Sequence, residues 1–163
     1  MKLQKFIILF SLLILFGCED KSLPVSENGD VNNKAQIEQL KNQISEIEKK
    51  NGEEKEAFRT TMNIAFHILT AINNKDFEYI TSISSSNVQV NVEESMIYST
   101  DYSYKINDMD YLLENLEYRY YHLDGEKLTI GFANYFSEGH STINFGFIKH
   151  DGQWLFDYLV TDA

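Results

Sequence analysis

Residues 118–160 read YRYYHLDGEKLTIGFANYFSEGHSTINFGFIKHDGQWLFDYLV, and this stretch decides the fold. Apolar and polar residues alternate in it. Leu128, Ile130 and Phe132 share one side, as do Ile143, Phe145 and Phe147, and then Trp154, Phe156, Tyr158 and Val160. A period of two marks a strand with one buried face. Asp124-Gly125, Ser137 to His140 and Asp151-Gly152 separate the runs. Asp-Gly suits a type I′ hairpin turn, in which both central residues need positive φ. The pattern predicts strands at 118–123, 127–136, 141–149 and 153–160, joined as an antiparallel meander. Gly131 and Gly146 fall inside strands, where glycine marks bulges or bends. A bent sheet can wrap a helix.

Working back towards the N-terminus, Val88, Val90 and Val92 alternate with Gln89, Asn91 and Glu93, a further half-buried strand. Residues 96–106 either extend it or pair with it. Asn107 is a candidate cap for a helix with Met109, Leu112, Leu113 and Leu116 on its apolar face. From Glu53 to Asn73 the period is helical, with Phe58, Met62, Ala65, Leu69 and Ile72 on one face. Ile64, Phe66, Ile68 and Ala71 widen that face, so this helix is central and mostly buried. Asn73-Asn74 ends it. Asp76 caps a short helix carrying Phe77, Ile80 and Ile83.

Ile37, Leu40, Ile44 and Ile47 alternate in spacings of three and four, an a/d stripe on a helix over 36–51. Asn51-Gly52 is read as its end. The stripe either folds back or serves as a stalk, or it pairs with another protein or a second copy of this chain. Residues 18–35 are polar, with Pro24, Gly29 and several Asn and Ser, and read as a flexible tether.

The chain opens with Lys2 and Lys5, then is apolar from Phe6 to Phe16 apart from Ser11. As helix this run is roughly 16 Å long, and a bilayer core needs about twenty residues. It is too short to span and suits a signal peptide. Leu15-Phe16-Gly17-Cys18 closes it and resembles the lipobox of bacterial lipoproteins. The resemblance implies a signal peptide at 1–17, cleavage before Cys18, and acyl chains (palmitate among them) on that cysteine. The chain's place would then be the extracytoplasmic face of the cell membrane, within the cell envelope. Cys18 is the only cysteine in 163 residues, so lipidation accounts for both its number and its position. Two or more acyl chains give stable anchoring.

The net charge is −11, and loss of Lys2 and Lys5 with the signal peptide makes it −13. So acidic a chain repels phosphate backbones, which argues against nucleic-acid partners. No disulfide can form within one chain. Residues 53–163 are long enough for one α+β domain with helices packed on a curved antiparallel sheet.

The element order (helix, short helix, strand, helix, four-strand meander) resembles the nuclear transport factor two-like superfamily of α+β cones. The Asn73-Asn74-Lys75-Asp76-Phe77 link and the Asp151-Gly152-Gln153-Trp154 hairpin are similar to junctions of that family. The resemblance covers 53–163 and implies a pocket between helices and sheet. Some members are enzymes, such as ketosteroid isomerases and scytalone dehydratases; many others are binding or assembly modules, and fold alone does not choose.

An enzyme of this kind needs a carboxylate or His base and oxyanion donors. The candidates are Asp110, His122, Tyr118 and Tyr120; parity places Tyr118, Tyr120 and His122 on one strand face. The alternative is that the tyrosines fill core and rim while His122 meets solvent. No catalytic motif of the family matches these positions. His67 lies about 200° around the helix from Ala65, at ~100° per residue, off the apolar face. His140 and His150 sit at turns. No metal pair is spaced on one helix, no glycine-rich phosphate loop is present, and no cofactor is implied. The aromatic residues read as core, and Glu53-Glu54 and Glu93-Glu94 as solvated faces. The leading expectation is a membrane-anchored, non-catalytic binding or assembly module working through Ile37, Leu40, Ile44 and Ile47. The alternative is a small-molecule binder or lyase/isomerase-type enzyme using the cone pocket.

Overall fold

The computed structural model describes residues 27–106 and 111–162. The chain divides into two units, residues 1–46 and 47–163. All described residues of the first unit are helical. The fold is α+β, with a long helix and two antiparallel sheets.

Helix α1 is Glu27–Asn74. It differs from the expected pair of helices in two ways. It begins within the stretch read as a tether, and it runs through Asn51-Gly52 without ending. Adding a residue to a formed helix costs little compared with nucleating one, and a mid-helix Gly costs only about 1 kcal/mol against Ala. Gly52 stays out of the positive-φ region that a glycine C-cap uses.

The stop comes at Lys75, whose φ is 56°. Its N–H donates to Ile72 O at 3.1 Å, and Asp76 N–H donates to Ala71 O at 2.8 Å. These bonds satisfy the last carbonyls of the helix. The Asp76 carboxylate then accepts from Tyr79 N–H at 3.0 Å and opens α2, Phe77–Ser82.

Strands β1 (Gln89–Asn91), β2 (Met96–Tyr98) and β3 (Ser103–Lys105) form a three-stranded antiparallel sheet. Residues 96–106 therefore pair rather than extend. Val90, Ile97 and Tyr104 lie opposite one another across it. The expected strand is cut short because Asn91 Oδ1 accepts from Glu94 N–H at 3.0 Å and turns the chain. Val92 is left exposed.

The meander consists of β4 (Leu116–Asp124), β5 (Lys127–Phe136), β6 (Gly139–His150) and β7 (Gln153–Thr161), paired in that order. Asp151 and Gly152 both have positive φ, 49° and 81°, as a type I′ turn requires. The β4–β5 turn is offset by one residue. Asp124 pairs with Lys127 and only Gly125 of the two-residue loop has positive φ, 58°.

Within the second unit, the core joins Ala57, Ala65, Ile68, Leu69 and Ile72 of α1 to a phenylalanine-rich sheet face. Phe132, Phe145, Phe147 and Phe156 are all at most 2 % exposed. Phe132 and Phe145 meet edge to face, centroids 6.0 Å apart. Thr61 is buried on the same helix and returns its hydroxyl proton to Ala57 O at 2.8 Å.

The helix expected after Asn107 is not found among the described residues. Leu112 is extended, Leu113–Asn115 make one 3₁₀ turn, and Leu116 already starts β4. Leu112 and Leu113 are exposed. Tertiary contacts override the helical spacing. Asn73 Nδ2 donates to Tyr111 O at 3.0 Å, and Tyr111 N–H donates to Asn73 Oδ1 at 2.9 Å. The amide of α1's last turn thus takes the place of a neighbouring strand. Tyr111 and Tyr104 are buried and share a hydrogen bond between their hydroxyls.

Burial, more than that mutual bond, raises the Tyr104 pKa, and burial also raises that of Tyr111. A folded-state pKa above the ordinary 10.0 means stability that is present below that pH and lost as pH rises through the folded value. The domain should lose stability progressively in alkali above about pH 10, with an unfolding midpoint beyond that value. Tyr104→Phe/Tyr111→Phe should move that midpoint to higher pH while leaving stability at pH 7 within about 1.5 kcal/mol. Circular dichroism against pH checks both.

Candidate functional site

Each strand of the meander presents one face to α1 and one away from it, and two irregularities decide which side chain goes where. The first lies between Tyr118 and Tyr120, which pair with the adjacent residues Phe132 and Gly131. Arg119 is the extra residue. Tyr118 therefore packs on the helix side, 5.5 Å from the Phe58 ring and 6.4 Å from Phe132. Tyr120 lies on the other face, over Gly131. The expected grouping of Tyr118, Tyr120 and His122 is thus broken; a bulge inverts the parity on which it rested. Tyr121 takes the helix-side place, 4.6 Å from Phe58.

The second irregularity sits at Gly146/Phe147, where Tyr158 and Phe156 are the partners and Asp157 is extra. It splits the expected series Trp154, Phe156, Tyr158, Val160. Phe156 and Leu159 are buried, while Tyr158 turns to the outer face.

On that outer face two tyrosines repeat one device. Tyr120 of β4 lies across Gly131 of β5 and donates to Asn144 Oδ1 of β6 at 2.7 Å. Tyr158 of β7 lies across Gly146 of β6, its hydroxyl 2.8 Å from Thr129 Oγ1 of β5. Each ring spans three strands. Gly131 and Gly146, expected at bulges or bends, are required as seats for these rings.

His122 is exposed opposite Thr129 on this face. Tyr120's proton is committed to Asn144, so it is not aimed at a substrate. Asp110 and Cys18 lie outside the described residues. His67 is exposed, its ring 6.1 Å from Tyr79, and His140 and His150 are exposed at turns. Glu54 is not simply solvated: it is half-buried and accepts from the Tyr121 hydroxyl at 2.7 Å. That bond to a carboxylate raises the Tyr121 pKa. Glu94 accepts likewise from Tyr98 at 2.7 Å.

The space between α1 and the sheet is filled by the phenylalanines and isoleucines of the core. At its rim lies an apolar groove of about 390 Å³ lined by Met62, Phe66, Leu113, Leu116, Tyr118 and Phe132. Among the described residues, every buried side-chain nitrogen or oxygen has a hydrogen-bond partner. Among them also, no three His, Cys, Asp or Glu side chains are grouped to hold a metal ion. No described helix is long and apolar enough to cross a membrane.

Ile37, Leu40, Ile44 and Ile47 are exposed to 51, 57, 54 and 59 %. The same alternation of three and four continues through Phe58, Thr61, Ala65, Ile68 and Ile72, which pack into the domain.

No protein-family model, curated protein or solved structure matches this chain.

The Tyr158–Gly146 seat makes a direct test. A Cβ on residue 146 would fall inside the Tyr158 ring. Gly146→Ala should cost about 1–3 kcal/mol by overpacking. In Gly146→Ala/Tyr158→Ala the clash is gone, so the double variant should lose clearly less than the two single losses added together. Urea unfolding of the four proteins measures the coupling.

Proposed function

We propose that this chain is a lipid-anchored, extracytoplasmic assembly module whose helical stripe pairs with a second copy of itself. The observation that carries the reading is the row of four exposed Ile and Leu side chains at a/d spacing on one helix. Water-exposed side chains of that kind, in that register, are what a partner helix covers. Charge supports a second copy as the partner. Residues 33–50 hold four Lys (34, 41, 49, 50) and three Glu (38, 46, 48), one net positive charge in a chain of −11. Two such helices approach without the repulsion the rest of the chain would impose.

The energetics assign the membrane a part. Eight half-exposed side chains at roughly 1 kcal/mol each make about 8 kcal/mol. Association costs about 4–15 kcal/mol. The pair is weak in free solution, and confinement of both copies on one membrane raises the effective concentration. The lipobox-like Leu15-Phe16-Gly17-Cys18 supplies that confinement, and Cys18 is the attachment point. The domain after the stripe is read as a nuclear transport factor two-like cone. Its helix, short helix and four-strand meander support this, as do the Lys75-Asp76 junction and the Asp151-Gly152 turn. A core filled by aromatic side chains favours a binding or assembly role over chemistry inside the cone.

With Cys18 acylated, Leu40→Cys gives the full chain its one free thiol. Mild oxidation of membranes holding this variant should trap a disulfide dimer, and adding Ile44→Asp should abolish it. If neither Leu40→Cys nor Ile44→Cys yields a dimer, self-pairing fails. Separately, Cys18→Ala should end incorporation of labelled palmitate and release the protein from the membrane fraction. Retention there in unlabelled form would overturn the anchor.

A further inference from the structure

The outer face of the meander carries a cleft that the assembly reading does not use. It lies between the β2–β3 turn and the start of β5 with the middle of β7. Its volume is about 370 Å³, within the range of about 300–1,000 Å³ usual for ligand sites. One wall is aromatic. The Tyr102 and Tyr158 rings stand 5.3 Å apart at 39°, forming a bent apolar surface. The rest of the lining is mainly polar, with Asn87, Asp101, Lys127 and Asp157, and Leu128 and Phe147 add an apolar part.

Among the polar groups, Asp157 is held in place and keeps unused capacity. Asp157 is the extra residue of the β7 irregularity. Its Oδ1 accepts from Ser85 Oγ at 2.6 Å and from Asn87 Nδ2 at 2.9 Å. Ser85 is itself fixed, its N–H donating to Phe156 O at 2.7 Å. Asp157 Oδ2 takes no protein hydrogen bond among the described residues. Nor does the Lys127 ammonium make an ion pair among them. Tyr158 cannot swing away, because it is seated on Gly146 and tied to Thr129. The cleft therefore holds an aromatic wall anchored at Tyr158, a carboxylate oxygen ready to accept and an ammonium ready to donate. For Asp157 and Tyr158 little ordering remains for binding to impose.

We propose that this cleft binds a neutral sugar ring. The apolar C–H face of such a ring suits the Tyr102–Tyr158 wall. Its hydroxyls both donate and accept, matching Asp157 Oδ2 on one side and Lys127 Nζ on the other. Two carboxylates, Asp101 and Asp157, face one ammonium, in a chain of net charge −11. That balance repels uronic acids and phosphates.

The test is saturation-transfer NMR and calorimetry on the full chain in detergent micelles. The probes are cellobiose and diacetylchitobiose, with glucuronic acid as the anionic control and glucosamine as the cationic one. The expected result is binding of a neutral disaccharide with Kd of about 1 mM and none of glucuronic acid. Tyr102 is exposed on a turn, so Tyr102→Ala should leave the fold unchanged and weaken binding about tenfold. Asp157→Asn, which keeps the side chain's shape, should weaken it similarly. No binding of either disaccharide overturns the proposal. So does affinity unchanged in both variants, or glucuronic acid or glucosamine binding more tightly than the neutral sugars. None of these results bears on the helical stripe, whose crosslinking test stands apart.

Discussion

Burial of one face of α1 against the phenylalanine-rich face of the meander is the interaction on which the second unit depends. Ala65, Ile68, Leu69 and Ile72 meet Ile130, Phe132, Phe145 and Phe156 in one core, with hardly any of this surface left to water. Full burial of such side chains contributes roughly 1.5–3 kcal/mol each. No disulfide is available, so packing of this kind must carry the fold. Other features serve it: the capped stop at Lys75, the Asn73 clamp on Tyr111, and the Ser85 and Ile83 bonds to Phe156 that hold the α2 loop against β7.

The sheet meets this demand by changing phase twice. A regular strand from Tyr118 to Leu123 would put Tyr118 and Tyr120 on one face. The bulge at Arg119 sends Tyr118 inward to Phe58 and Tyr120 outward over Gly131. The shift at Gly146/Phe147 does the same for Phe156 and Tyr158. Each phase change thus produces an inner aromatic that packs and an outer tyrosine that braces three strands. The outer face so built carries the cleft proposed to bind a sugar, while the exposed helical stripe is the surface proposed for assembly. The two proposed roles use different surfaces and different physics, one a preorganised polar cleft and the other a strip of apolar side chains in water.

Much of this was legible in the chain. Period-two alternation over 127–160 placed three strands to within two residues, because a sheet with one buried face imposes that period directly. The Asp151-Gly152 turn and the Asp76 cap rest on local backbone chemistry and appeared as read. Ile37, Leu40, Ile44 and Ile47 lie on a helix, as their spacing predicts, and are exposed on it. The end at Asn51-Gly52 was misread because glycine permits a helix stop without enforcing one. Asn107 to Asp110 lie outside the described residues; over 111–116 the expected helix does not form, because the Asn73 side chain, 38 residues from Tyr111, holds that residue by two hydrogen bonds.

What the sequence by itself determined was local: which segments alternate, where turns fall, the lone Cys18 behind its apolar run, and the acidic balance. These depend on neighbours within a few residues. The tertiary structure decided which face each tyrosine takes, because a single extra residue in a strand inverts parity and only cross-strand pairing reveals it. It also decided that Gly131 and Gly146 are seats for rings, and that Asp157, Tyr102 and Lys127 share a cleft. Those groupings join residues eleven or more positions apart, and no local pattern encodes them.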